Sequence, residues 1–405
     1  MKKKQMVVAA LMVLTACSSP TGGGDESGST GGGNIAITSI AEVRDYLSAA
    51  SGGGSTADPV SLPVSLDLAD TEGDGWTDLL EAIKDTDKYV ALDLSDCTMS
   101  GPTFDPGADT PGMDKIVSLV LPDEATSIKA GVGYPSYVGL MEDFSALESI
   151  SGAGIETIGA NAFCQCYALK TVDFPAVETI GSYAFWACSG LTEVSLPASL
   201  SSIGNNPFNN CKNLESITVD PGNPNFKHSD DNKALLSKDG KTLYAYPSAT
   251  SALLNDPTLA GITVVGFSAL SNTNITAVNL PAAVSIDEQA FNGCTSLQTV
   301  SLPAAASIGN AAFSWTGNIA LTVTLGSTAP MLGSYMFTSV TGSTKIVKVQ
   351  VPSGATGYGT GTYNETDSYT NNLGNGFRGG GWNGSVIINP SYINSNISLT
   401  IEELP

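Results

Sequence analysis

ETIGSYAFWACSGLTEVSLP, residues 178–197, holds a cysteine, serines and two glutamates, the residue types of a reactive site. Its neighbours identify it as one copy of a repeat. Residues 156–175 read ETIGANAFCQCYALKTVDFP, and 201–219 read SSIGNNPFNNCKNLESITV. Residues 284–303 read VSIDEQAFNGCTSLQTVSLP, and another copy starts SIGNAAF at Ser307. The shared pattern is I-G-x-x-A-F-x-x-C-x-x-L-x-x-V-x-L-P. The step is 22 residues from Ile158 to Ile180, 23 to Ile203, and 22 again from Ile286 to Ile308.

Self-similarity at a period in the twenties signals a leucine-rich-repeat solenoid. In each copy L-x-x-V-x-L carries a strand, with Val172/Phe174 and Val194/Leu196 alternating inward. The Pro that follows donates no ladder hydrogen bond and ends the strand. Ile, the Phe of A-F and Cys turn inward on the return path. One coil cannot bury them alone, so stacked coils should align Phe163, Phe185 and Phe208. Cys166, Cys188, Cys211 and Cys294 share one slot and read as core thiols rather than nucleophiles.

The pattern resembles the BspA-like leucine-rich repeats of bacterial surface lipoproteins. The resemblance is clear over 156–219 and 284–325. Weaker copies extend both ways, with strand halves at 89–97 and 115–122. Residues 262–281 keep the strand half, but Phe267 is out of frame. The fold class expected is therefore a helix-poor repeat solenoid of 22–23-residue coils over 89–340. A β-hairpin insert interrupts it at 226–247. There Leu235-Leu236 and Leu243-Tyr244 flank Lys238-Asp239-Gly240-Lys241, and Asp-Gly is a hairpin turn signal. Similar hairpins occur as inserts in the family that the pattern resembles.

Both ends of a solenoid expose apolar ladders and need covers. Over 35–88 the sequence reads as a small α/β cap. A helix is expected at 38–50, with Ser39 and Glu42 as a capping box and Ile40, Val43 and Leu47 on one face. A strand near 60–68 and a helix at 75–84 carrying Trp76, Leu79, Leu80 and Ile83 follow. Residues 341–405 read as a β-rich cap, with strands at 346–351, 386–388 and 397–401 and a Gly-rich loop at 374–384.

Residues 1–16 read as a signal peptide. Lys2, Lys3 and Lys4 precede an apolar run too short to span a bilayer. Leu14-Thr15-Ala16-Cys17 resembles the lipobox of bacterial lipoproteins. That resemblance implies cleavage before Cys17, a lipid on its sulfur and membrane attachment through it. Residues 17–34 read as a tether: 18–34 include seven Gly and little that is apolar. Seventeen such residues span about 20–25 Å root-mean-square.

Composition narrows the functions. With 17 Lys plus Arg against 39 Asp plus Glu, the chain lacks the basic patch that nucleic acid requires. The single histidine, His228, lies in the polar entry to the hairpin and reads as a solvated loop residue. Four cysteines in one slot form a row rather than a tetrahedron, so no metal is assigned to them. Thiols are preferred over disulfides, since bridging two rungs would displace packed neighbours. Asp70–Glu81 places acids at positions 1, 3, 5, 9 and 12 of a calcium-type loop with Gly at 6. The strand-like LPVSLDLA before it, and Thr77 at position 8, favour a turn whose acids complement a helix N-terminus. Gly376–Trp382 is Gly-rich but lacks the Lys-Ser/Thr ending of a phosphate cradle. No carboxylate pair is fixed by a pattern, and no cofactor is expected.

The remaining candidate is a surface. Strand positions flanking Val point outward: Thr171/Asp173, Glu193/Ser195, Ser216/Thr218, Ala277/Asn279 and Thr299/Ser301. Solenoids bind partners along such faces, although small polar residues also simply solvate a sheet. The family resemblance implies a non-enzymatic protein at the outer membrane or cell surface, adhering to extracellular, host or neighbouring-cell proteins. The alternative is a structural or assembly scaffold facing the periplasm; an envelope hydrolase lacks a catalytic set.

Overall fold

The structure is a computed structural model. It describes residues 36–69, 75–107, 111–132, 139–249, 257–316, 320–333, 345–356, 361–363 and 397–404.

The first elements cover the start of the array. Helix α1, Ile40–Ala49, begins at Ser39, whose hydroxyl accepts from the Glu42 N–H at 3.3 Å. The Glu42 carboxylate reaches one residue beyond the capping-box position and accepts from the Thr38 N–H at 3.0 Å. Ile40, Val43 and Leu47 are buried. Helix α2, Trp76–Thr86, follows Gly75 and buries Leu79, Leu80, Ala82 and Ile83. Its Trp76 meets Phe104 edge-on at 5.8 Å, and the indole N–H donates to the Pro106 carbonyl at 2.9 Å. Strand Val60–Pro63 pairs in parallel with Val90–Asp93, so the ladder begins there.

Each regular coil contributes one main strand, one short strand and a return turn. The main strands Val60–Pro63, Val90–Asp93, Ile116–Val120, Ser149–Ser151 and Thr171–Asp173 form one sheet. Glu193–Leu196 and Ser216–Val219 form a parallel pair. Ala277–Asn279, Thr299–Leu302, Ala320–Leu325, Lys345–Val351 and Ile397–Glu403 follow in parallel, closed by antiparallel Gly361–Tyr363. The short strands carry the I-G signature, as at Thr157–Ile158, Thr179–Ile180 and Ser202–Ile203. Glycine follows Ile158, Ile180 and Ile203 because the coils touch there. A Cβ on Gly181 would lie 2.3 Å from the Ala160 nitrogen, and one on Gly204 2.3 Å from that of Ser182.

The return turns explain A-F-x-x-C. Phe163 and Phe185 stack at 5.0 Å between centroids and 4° between planes, and Phe185 and Phe208 at 5.6 Å and 16°. Phe291 and Phe313 stack at 5.1 Å and 7°. Such pairs add about 0.5–1.5 kcal/mol beyond burial. Each slot cysteine donates its S–H to the Phe-slot carbonyl of the preceding coil. Cys188 reaches Phe163 at 2.9 Å, Cys211 reaches Phe185 at 3.0 Å, and Cys294 reaches Leu270 at 2.9 Å. Two positions per turn are left-handed. Asn161, Gln165, Tyr183, Ala187, Ser268, Asn272, Gln289, Gly293, Ala311 and Trp315 all have φ between 52° and 72°. For a residue with a Cβ this costs about 1–2 kcal/mol. It is offset because alternate N–H groups then face the next coil. Tyr183, Phe185 and Ala187 donate to the carbonyls of Asn205, Pro207 and Asn209 at 2.8–3.0 Å.

Phe267 is not in the Phe column. Leu270 fills that slot, fully buried, and Phe267 packs edge-on against Tyr183 at 6.4 Å. Thr273 and Thr316 replace cysteine and bond to the Phe-slot carbonyls of their own coils at 2.7 and 2.6 Å.

The insert has three strands rather than two. Phe226–His228 pairs antiparallel with Leu235–Ser237, which pairs antiparallel with Thr242–Ala245. Gly240 supplies the left-handed residue of the turn, φ 75°, and Asp239 accepts from the Ser237 hydroxyl and the Lys241 N–H. Asn223 sets the entry. Fully buried, its amide donates to Pro197 and Leu200 carbonyls at 2.9 Å and accepts from the N–H groups of Asn225 and Phe226 at 2.8 Å. The two faces of the insert serve different cores. Phe226, Leu235 and Ala245 join the core that starts at Ile37, whereas Ala234, Leu236, Leu243 and Tyr246 join one that ends at Val351. The strand read at 386–388 and the loop at 374–384 lie outside the described residues.

The six described cysteines are buried thiols. Burial pushes the Cys211 thiol up to about 12 and Cys97, Cys164 and Cys294 up to about 11; the same desolvation holds Cys166 and Cys188 well above the ordinary thiol value.

Two outcomes follow. Phe185→Ala should cost about 3–5 kcal/mol in chemical denaturation, whereas Phe267→Ala, outside the column, should cost less than half of that. Above the ordinary thiol value of 9.0, unfolded cysteines ionise while folded ones stay protonated. The unfolded state then binds fewer protons, so stability is full below about 9 and falls as pH rises towards 11–12. The urea midpoint should drop between pH 8 and 10.5, and Cys294→Ala should make that drop shallower.

Candidate functional site

Parallel pairing sets the outward side chains of the main strands in columns. Register places Ser149 beside Thr171 and Ser151 beside Asp173. Glu193 stands beside Ser216, and Ser195 beside Thr218. In the second half, Ala277, Thr299, Thr322 and Lys348 form one column and Asn279, Ser301, Thr324 and Gln350 another. Thr171, Asp173, Glu193, Ser195, Asn279 and Thr299 are exposed; Ser216, Thr218 and Ser301 are half-buried.

These positions fall in three runs rather than one strip. No strand pairing joins Thr171–Asp173 to Glu193–Leu196, or Ser216–Val219 to Ala277–Asn279. The third run contains a hollow of about 230 Å3, lined by Ala277, Val278, Asn279, Thr299, Val300, Ser301, Thr322, Thr324 and Gln350. Thr322 and Thr324 were missed by the repeat pattern because the copy at 307–325 lacks its cysteine, and Gln350 because it lies beyond the array expected to end at 340. The period-two runs LTVTL at 321–325 and VKVQV at 347–351 are the signals that mark them.

The hollow is neutral. Between residues 257 and 333 the only charged side chains are Asp287 and Glu288. Lys348, beyond its edge, pairs with Glu402 at 3.1 Å. The hollow can therefore offer hydroxyl and amide hydrogen bonds but no ion pair. The first two runs carry Asp173 and Glu193 instead.

The other candidates fall elsewhere. His228 is not a solvated loop residue: it sits in a strand, half-buried, and its Nδ1 accepts from the Val219 N–H at 2.9 Å. That bond closes the edge of Ser216–Val219, since Ile217 likewise donates to the Asn232 carbonyl at 2.8 Å. Edge N–H groups need partners wherever a neighbouring rung is displaced. The expectation failed because the partner strand of His228 could not be read from its local polar context. Of the acidic loop at 70–81, residues 70–74 lie outside the described residues, and Gly75 and Asp78 begin α2. Cys17 and Gly376–Trp382 also lie outside them. Among the described residues, no three His, Cys, Asp or Glu side chains are grouped as metal ligands, and no helix is long and apolar enough to cross a membrane.

Comparison with solved structures finds bacterial leucine-rich repeat proteins. A leucine-rich repeat protein from Eubacterium ventriosum superposes with a TM-score of 0.41 at 19% identity, over 58% of this chain and 68% of that one. The pneumococcal vaccine antigen PcpA gives 0.37 at 21%, over 63% and 80%. A leucine rich cell surface protein from Faecalibacterium prausnitzii gives 0.35 at 18%, over 60% and 75%. No curated protein matches the chain. The family model for the BspA type leucine rich repeat region matches residues 143–230 and 263–377, in six copies covering half of the sequence. With its stacked Phe, Cys and Ile-Gly slots, the chain belongs to the BspA-type leucine-rich-repeat family.

Proposed function

We propose that this protein is a non-enzymatic, lipid-anchored component of the cell envelope, displayed at the cell surface, that binds proteins through the outward face of its main strands. The observation that carries the reading is that face: exposed polar side chains held in register by parallel strands, with a hollow at Ala277–Gln350. Rigid columns present a partner with fixed spacing at little entropic cost. Family membership is consistent with a surface protein that contacts other proteins. The residues that first suggest chemistry have structural tasks, since the slot thiols are buried and His228 closes a strand edge. The lipid anchor rests on the Leu14–Cys17 motif and the adhesive target on the family resemblance.

Three experiments test this. In intact cells, Cys17→Ser should abolish incorporation of labelled palmitate and release the protein from the membrane fraction, as loss of acyl chains predicts. External protease should degrade the native protein; sparing would favour the periplasmic scaffold. Full-length protein should bind immobilised extracellular-matrix proteins or cell surfaces. Thr299→Arg with Ser301→Arg should weaken that binding about tenfold or more, a loss of about 1.4 kcal/mol, with an unchanged melting temperature. Failure to bind any matrix protein or cell would remove the adhesive reading.

A further inference from the structure

The coils do not form one uninterrupted stack. In regular coils three alternate N–H groups of each return turn bond to the next coil, as Ser268, Leu270 and Asn272 do to the carbonyls of Glu288, Ala290 and Asn292 at 2.8–3.1 Å. Asn206, Phe208 and Asn210 occupy the same slots one coil earlier. Among the described residues, their N–H groups make no such bonds to the coil at 262–280. Pro207 accounts for the change at Asn206, whereas Asn210 keeps its left-handed φ of 61° and still lacks the bond. Pro207 occupies the slot that alanine fills in the other copies, and the residue before a proline is pushed towards extended backbone. Asn206 is accordingly absent from the left-handed residues, although Asn161, Tyr183, Ser268 and Gln289 hold that conformation in its slot.

Side chains replace the missing ladder. The Asn206 amide donates to the Ser268 carbonyl at 2.7 Å, and that of Asn272 to the Asn209 side-chain oxygen at 2.7 Å. The Asn206 Oδ1 is buried without a partner. Three other observations converge on this seam. The Phe column is interrupted between Phe208 and Phe291. The main-strand sheet is broken between Ser216–Val219 and Ala277–Asn279 with the whole insert between them, whereas the break between Thr171–Asp173 and Glu193–Leu196 falls between consecutive coils of one core. The apolar core is divided in two by the insert.

We infer that the seam at Pro207 and the insert is a built-in joint, dividing the solenoid into two arrays that lose structure separately. In stacked repeats, cooperativity is transmitted by the interface between neighbouring coils. A boundary with fewer backbone bonds and no shared apolar cluster transmits least, and becomes the limit of a cooperative unit. The arrays also differ electrically. The first carries Asp173, Glu178, Glu193, Glu215 and Asp220 along its last coils, whereas 257–333 holds two charges. Added salt should relieve self-repulsion in the first array and leave the second almost unaffected. The joint is independent of whether the strand face binds a partner.

Native thiols report on each side. Cys188 and Cys211 belong to the first core and Cys294 to the second. Full-length protein would be pulsed with iodoacetamide across a urea gradient, and labelling read at each cysteine by peptide mass spectrometry. Two midpoints are expected, one shared by Cys188 and Cys211 and another for Cys294. Phe291→Leu should lower the Cys294 midpoint by about 0.5 M and leave the others in place; Phe185→Leu should do the reverse. Sodium chloride at 0.5 M should raise only the first midpoint. If Phe291→Leu unfolds the second array outright, Cys294 should label without urea while Cys188 and Cys211 stay protected. A common midpoint for all three thiols, moved together by either substitution, would overturn the joint.

Discussion

Stacking of like upon like is the constraint on which the rest depends. A coil of 22 or 23 residues has too little interior to bury a phenylalanine, an isoleucine and a cysteine by itself. Placed on a neighbour of the same length, each residue meets its own kind. The near-parallel rings of Phe163, Phe185 and Phe208 are the visible result. The same superposition allows left-handed backbone at Tyr183 and Ala187, because the strained turn aims its N–H groups at a coil of equal pitch. The cysteines belong to this scheme. Each sits where a small apolar side chain fits and a weak donor can bond to the carbonyl one coil below.

The insert shows what happens when the constraint is lifted. Between Val219 and Ile262 the chain leaves the repeat, and the two ladders lose their next rung. The backbone groups left behind are collected one by one: His228 takes the Val219 N–H, Asn232 takes that of Ile217, and Asn223 gathers four bonds at the departure point. Its strands turn one face to each core, so the insert closes the first array and opens the second. Local polar chemistry there substitutes for periodic packing, and three residues that look available for function are engaged in structure.

The outward face is shaped by the same breaks. Columns of side chains persist only where main strands pair, which divides the candidate surface into an acidic part near Asp173 and Glu193 and a neutral part around the hollow at Ala277–Gln350. A partner reading the whole length would meet two different chemistries. To such a partner the neutral part would offer hydrogen bonds whose strength depends little on salt, and the acidic part a field that salt screens.

How much of this was legible depends on how far apart the interacting residues lie. The period, the inward slots, the buried thiols, the helices around Ile40 and Leu79 and the Asp-Gly turn follow from patterns within about two dozen residues, because steric fit and backbone propensity act locally and repeat. Pro207 also stands in the sequence, but its consequence is visible only once the missing partner bonds of Asn206 and Phe208 are seen. Leu270 in place of Phe267, the third strand at Phe226–His228, the task of His228, the division of the core and the hollow were settled by the tertiary structure alone. Each depends on register between segments about ten to sixty residues apart, and register is determined by which groups remain unpaired after the regular coils have packed.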